Sequence, residues 1–310
     1  MDAPFQRILV GLSLTALDKG LIQYASMIAG WGKVKVIDFL HVLPESSAAL
    51  RESSLPLVSH GEAVQQVQNQ VQDAFGPVPE GCRLSFQVSR GTRIDSLLEF
   101  SANHETDLIL VGHRKSRSGR RSLAKRLAMK APCSVWMVPE DSPVRIRRIL
   151  APVDFSRFSA DALQVATALG SLANIVECLA LHVYFNEATI TYDEYDEVLR
   201  GKEVATFSKF IAPINLHGVE LNSLFLEGFN VAKTIVTTCQ EKSADLIVMG
   251  TRGRSRSAAI LLGSETEHTI TETSVPILAV KHFGSRMNLL QALLDKKFRA
   301  RTEDHFGSLL

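Results

Sequence analysis

The chain has 310 residues, 45% of them hydrophobic and 22% charged, which is the make-up of ordinary globular protein at about twice the length where a single core stops growing. With 19 Gly and 11 Pro it is neither collagen-like nor low-complexity. Lys plus Arg number 34 and Asp plus Glu 33, so a net charge of +1 gives no overall pull towards nucleic acid or membrane.

From the N-terminus, Asp2 leads straight into Arg7-Ile8-Leu9-Val10, without the basic-then-apolar run of a signal peptide. No apolar stretch reaches about 18 residues, so a cytoplasmic protein with no membrane span is expected. Arg7-Ile8-Leu9-Val10 reads as a first strand and Leu40-His41-Val42 as the end of a second. Thr106-Asp107-Leu108-Ile109-Leu110-Val111-Gly112 reads as a fourth and Ser134-Val135-Trp136-Met137-Val138 as a fifth. All four return: Arg148-Ile149-Leu150-Ala151 and Leu181-His182-Val183 at an offset of 141, then Ala244-Asp245-Leu246-Ile247-Val248-Met249-Gly250 and Pro276-Ile277-Leu278-Ala279-Val280. The chain therefore divides into two copies of one domain, 1–142 and 143–283, and a tail, 284–310. Cys82, Cys133, Cys178 and Cys239 lie far apart without zinc spacing and read as reduced, buried thiols.

In the second copy Ile149–Val153, Val176–Tyr184, Glu220–Leu226, Leu246–Gly250 and Ile277–Val280 are continuously apolar or β-branched, as strands covered on both faces are. Ser159 stands as the N-cap of one intervening helix, and Asn230 caps another running to about Lys242. Five strands and four helices per copy predict two tandem α/β domains of flavodoxin-like, doubly wound type, each a five-stranded parallel sheet flanked by helices. Ligands of such sheets bind beyond the carboxyl ends of the strands where the winding reverses, which singles out the loops after the first and fourth strands.

In the second copy the fourth strand leads into Gly250-Thr251-Arg252-Gly253, and nine residues later into Gly263-Ser264 at a helix start. Glycines let backbone N–H groups converge on an anion, and a helix start adds orphan donors and the positive dipole end. The pattern Gly250-x2-Gly253-x9-Gly263-Ser264 resembles the nucleotide-binding pattern of the universal stress protein family. Pro152-Val153-Asp154-Phe155-Ser156 is similar to that family's acidic signature after the first strand, and the fourth-strand run ending at Met249-Gly250 is similar to its counterpart. The resemblance implies an HUP-type fold and ATP binding, with Mg²⁺ as an accompanying ion. Residue by residue it implies Pro152, Val153 and Asp154 beside the adenosine, Val183 at the base, Met249 and Gly250 towards the ribose, and Arg252, Gly253, Gly263 and Ser264 along the phosphates. Glu265 follows directly, an acid where the family carries an uncharged residue; it repels a triphosphate unless Mg²⁺ intervenes or its side chain points outward.

The first copy lacks these features. Ser13 stands 141 residues before Asp154, Lys115 replaces the second loop glycine, and no Gly-Ser pair follows at the required distance. Gly112 to Val138 spans 26 positions against 30 from Gly250 to Val280, a loss assigned to the phosphate segment. Only the second copy is expected to bind nucleotide. Segment 113–130 instead carries eight basic residues and no acid, among them Arg114, Lys115, Arg120 and Arg121, so the rest of the chain carries −7 against the total of +1. It reads as a solvated face or as a patch for RNA, anionic lipid or an acidic partner; the absence of aromatics argues against sequence-reading single-strand recognition, and nucleic acid is the less expected partner.

No GxxxxGK[ST] occurs, and His41 and His182 read as structural. Leucines in Met287–Phe298 mark an amphipathic tail helix. Ser46–Ser59 and Tyr192–Arg200 read as variable second-strand connections without chemistry. The family pairs two such domains along their last strands, which implies either internal pairing of the two copies or a homodimer through the last strands or the tail. The function expected is a nucleotide-responsive stress or regulatory module that binds ATP and is not an enzyme. A slow Mg²⁺-dependent ATPase and a non-nucleotide scaffold using the basic segment are the alternatives.

Overall fold

The computed structural model describes residues 4–45, 59–113, 122–175, 177–185, 193–252 and 262–281, with the side chains of 193–199 excepted. The first half runs β1 (Arg7–Leu12), α1 (Asp18–Gly30), β2 (Val36–Leu43), α2 (His60–Phe75), β3 (Arg83–Arg90), α3 (Arg93–Asn103), β4 (Leu108–His113), α4 (Leu123–Lys130) and β5 (Ser134–Pro139). The second repeats it as β6 (Ile149–Pro152), α5 (Arg157–Leu172), β7 (Glu177–Tyr184), α6 (Asp193–Ile211), β8 (Glu220–Glu227), α7 (Val231–Glu241), β9 (Leu246–Gly250), α8 (Ser264–Glu272) and β10 (Ile277–Val280).

All strands join one sheet in the order β3-β2-β1-β4-β5-β10-β9-β6-β7-β8. Within each half the pairs are parallel, and the winding reverses between β1 and β4 and between β6 and β9. Successive strand residues point to opposite faces, so Ile8 and Val10 enter one core with Tyr24, Val67 and Phe75 while Leu9 enters the other with Leu97 and Leu127. Burial on both faces explains the unbroken apolar runs.

The halves meet where β5 and β10 pair antiparallel, with Leu278 opposite Trp136. Across this seam the Lys281 N–H donates to Ser134 Oγ at 3.2 Å, Lys281 Nζ donates to the Met129 carbonyl at 3.1 Å, and Lys125 pairs with Glu267 at 3.6 Å. Each last strand has a partner on both sides, so of the two pairings the sequence left open for the last strands the structure has the one within the chain.

The repeat extends to single hydrogen bonds. Asp107 Oδ2 accepts from the N–H groups of Gln6 and Arg7, both at 3.0 Å, and Asp245 Oδ2 accepts from Arg147 N–H at 2.9 Å. These carboxylates staple the start of the first strand to the fourth, which gives the Asp of both fourth-strand motifs a structural purpose.

Three expectations need correction. Ser156, not Ser159, is the N-cap of α5, its hydroxyl accepting from Ser159 N–H at 3.2 Å. The chain turns at Phe155 (φ +63°) and is extended at Ser156, so the helix starts one residue later, three before the predicted start. Cys82 is only half-buried, unlike Cys133, Cys178 and Cys239; all four are free thiols, and burial pushes the latter three up to about 12. The four-residue difference between the halves is not confined to the loop, as the site geometry below shows. Asn230 does cap α7, accepting from Lys233 N–H at 2.9 Å. The tail from 284, residues 46–58, 114–121 and Tyr192 lie outside the described residues.

Candidate functional site

The turn after β6 is built from the strand inward. Val153 N–H donates to the Leu181 carbonyl at 2.8 Å, and the Val153 carbonyl accepts from His182 Nδ1 at 2.7 Å. His182 is buried, and its Nε2 lies 3.3 Å from Glu203 Oε2. Phe155, in the left-handed region that costs a side chain about 1 kcal/mol, stacks on the His182 ring with centroids 4.1 Å apart. Half-buried Pro152 and Asp154 are thereby fixed at the strand end. Asp154 Oδ1 accepts from Ser156 N–H at 3.0 Å and its own N–H donates to Ser159 Oγ at 3.3 Å, so the aspartate shapes the turn it stands in.

β9 ends beside β6. A Cβ on Gly250 would lie 2.9 Å from the Phe158 carbonyl oxygen, so glycine is needed there for β9 to pass the first turn of α5. Met249 belongs to the core beneath α7 and α8, and half-buried Val183 packs against the same core. The strand end is tied down by Thr266 Oγ1 donating to the Gly250 carbonyl at 2.8 Å and Thr251 N–H donating to the Val280 carbonyl at 3.0 Å. The guanidinium carbons of Arg252 and Arg157 each lie 5.8 Å from the Phe158 ring centroid, which gathers two cations at the mouth of the turn. Arg157 escapes sequence reading because only the fold brings it to the other loop.

Gly263 is the N-cap of α8 and, having no side chain, makes no capping hydrogen bond of its own. The Gly263 N–H donates to the Thr251 carbonyl at 2.9 Å, which returns the loop to the end of β9. Ser264 opens the helix. Glu265 Oε2 accepts from Ala232 N–H in the first turn of α7 at 3.1 Å, and Oε1 accepts from Ser264 Oγ at 3.4 Å. One oxygen of this acid is therefore held by α7 and the other stays beside Ser264. Gly253, Arg254 and Arg256 lie outside the described residues.

In the first half the same places are filled differently. Ser13 stands where Asp154 does, and Asp18 stands where Ser159 does, so acid and hydroxyl have changed places. Asp18 is 4% exposed, and its carboxylate accepts from Ser13 N–H at 2.9 Å, Ser13 Oγ at 2.8 Å and Thr15 N–H at 3.2 Å. The carboxylate missing at Ser13 is present in space, supplied from the helix. Gly112 pairs with Val138 and Gly250 with Val280, which bears out the spacings of 26 and 30. Ten positions separate Gly112 from the N-cap Ser122 and thirteen separate Gly250 from Gly263, so three of the four lost residues precede the helix and one follows it. Ser122 caps α4 with its own hydroxyl, accepting from Lys125 N–H at 3.3 Å. A cavity of about 480 Å³ opens among these elements.

His41 mirrors His182, its Nδ1 donating to the Leu12 carbonyl at 3.1 Å, and burial lowers its pKa. Among the described residues no group of three His, Cys, Asp or Glu side chains could hold a metal ion, and no helix is long and apolar enough to cross a membrane.

The profile of the universal stress protein family matches residues 4–139 and again 145–281. The universal stress protein E homolog of Haemophilus influenzae is 25% identical over 274 residues, covering 80% of this chain and 87% of its own. A universal stress protein of Methanocaldococcus jannaschii is 30% identical over 141 residues, 44% of this chain and 82% of its own. The crystal structure of a universal stress protein from Archaeoglobus fulgidus superposes with a TM-score of 0.62 at 19% identity over 90% of this chain and 97% of that one, which is a likeness of fold.

Proposed function

The chain belongs to the universal stress protein family, and from that premise we propose that its second half binds ATP as the sensing part of a nucleotide-responsive regulatory module. The observation that carries the reading is the contrast between the two equivalent helix starts. The N-cap Gly263 has no side chain with which to cap α8, whereas the N-cap Ser122 caps α4 with its hydroxyl. An uncapped first turn presents backbone N–H groups and the positive end of the helix dipole to an anion. Arg252 and Arg157 stand at the adjacent turn, where they offset the charge of the phosphates and of Glu265, whose Oε2 is held by the Ala232 N–H on α7 while Oε1 accepts from Ser264 Oγ. Asp154, at the end of the neighbouring strand β6, faces the winding reversal where a ribose or base donor is met. Mg²⁺ would arrive on the phosphates. The activity is binding rather than turnover, and the buried free thiols fit a cytoplasmic protein.

Titration with a fluorescent ATP analogue tests the reading. Saturable binding is expected, weakened about tenfold or more by Asp154→Ala and by Gly263→Val, each of which removes or obstructs one polar contact with the ligand. Absence of binding, or binding indifferent to both substitutions, overturns it.

A further inference from the structure

The first half contains a cavity of about 480 Å³ at its own winding reversal, between the ends of β1 and β4. This volume falls in the range of small-molecule sites. One side is apolar, formed by Leu12, Leu40, Val42, Leu97 and Val111. Its rim carries both signs of charge, with Lys19 and Arg93 against Asp18, Glu140 and Asp141.

What sets this cavity apart is that, at both places where an α/β site grips phosphate, backbone amides are engaged from within. At the turn after β1, the N–H groups of Ser13 and Thr15 donate to Asp18, a buried carboxylate that lines the cavity. At the start of α4, whose Leu123 also lines it, Ser122 accepts from the Lys125 N–H. An incoming phosphate would find these amides taken and a fixed negative charge beside it, in surroundings that screen poorly. The apolar wall is unaffected by either change.

We propose that the first-half cavity is a binding site for an uncharged, nucleoside-sized heterocycle, and that Asp18 makes it reject the phosphorylated form. The ring lies on the apolar wall, and polar groups of the ligand meet the mixed-charge rim. The site is independent of ATP binding in the second half: one half reads phosphate and the other its absence.

The test uses the full chain with labelled Leu, Val and Met methyl groups, followed by NMR during titration with adenosine, AMP and ATP as probes. Val42, Leu97 and Val111 report on the first half, and Val183 and Met249 on the second, so the two sites are scored separately. Adenosine is expected to move the first-half signals saturably, and AMP to need about tenfold higher concentration or more, the cost of setting a second anion beside Asp18. Asp18→Asn is expected to narrow that ratio. Should this variant fail to fold, Leu97→Phe, which fills the cavity, should abolish the first-half response to adenosine while leaving the second-half response to ATP as in the parent chain. First-half signals unmoved by adenosine, moved equally by AMP, or discriminating as before in folded Asp18→Asn would overturn the proposal.

Discussion

Lys281 is the place where the seam between the halves can be tested quantitatively. It is 8% exposed at the end of β10, with its Nζ donating to the Met129 carbonyl at the last turn of α4. Burial, reinforced by the Arg252 guanidinium, pushes its ammonium down from 10.5 to about 8. In the unfolded chain the amine returns to its ordinary value. Between pH 8 and 10.5 the unfolded state therefore holds a proton that the folded state has lost, and unfolding free energy rises with pH by about 1.4 kcal/mol per pH unit, about 3 kcal/mol in all. Below pH 8 both states are protonated and the whole cost of burying the charge is present. Lys281→Met keeps the stem and removes the charge, at the expense of about 1 kcal/mol for the lost bond to Met129. The variant should thus be more stable than the parent by about 2 kcal/mol at pH 7 and lose that advantage by pH 10.5. Urea unfolding read through tryptophan emission is suited to this, because Trp136 is fully buried on β5 opposite Leu278 of β10. The difference between parent and variant is the quantity to follow, since other titrations are common to both. A difference that stays constant from pH 7 to 10.5 would refute the reasoning.

Two further substitutions separate packing from binding in the second half. Gly250→Ala places a methyl group 2.9 Å from the Phe158 carbonyl oxygen, and a destabilisation of about 1–3 kcal/mol is expected in urea unfolding. An unchanged midpoint would mean that β9 can move off α5 freely. Glu265→Ala removes the acceptor of the Ala232 N–H and should cost about 1 kcal/mol while changing ATP affinity by less than about threefold. A tenfold gain in ATP affinity would instead show that the carboxylate opposes the phosphates.

The repeat was legible because the residues that mark it have structural purposes independent of any ligand. His41 and His182 hold the carbonyls of Leu12 and Val153, and Asp107 and Asp245 staple the first strand of their half to the fourth, so the motif and its offset survive even where the site has changed. What escaped the sequence depends on distant contacts. The direction of the Glu265 side chain is set by α7, 33 residues earlier. Gly250 stands out in the sequence as a candidate for the ribose, yet its need for glycine comes from Phe158 on α5. The loss of an acid at Ser13 was counted along the chain, whereas the charge had been displaced five residues, onto the start of the helix, and stayed in place.

The joining of the halves left a signal in the strands themselves. β5 and β10 lie at the rim of their own five-stranded halves, yet Ser134–Val138 and Ile277–Val280 are buried throughout. A rim strand left open to water would be a template for aggregation, and open rims usually carry charge. The real rims do: β3 begins and ends with exposed Arg83 and Arg90, and β8 with exposed Glu220 and Glu227. Covered fifth strands and charged third strands in one chain are therefore a sequence-level sign that the two halves pair with each other, through the same fifth strands that carry Trp136 and lead into Lys281.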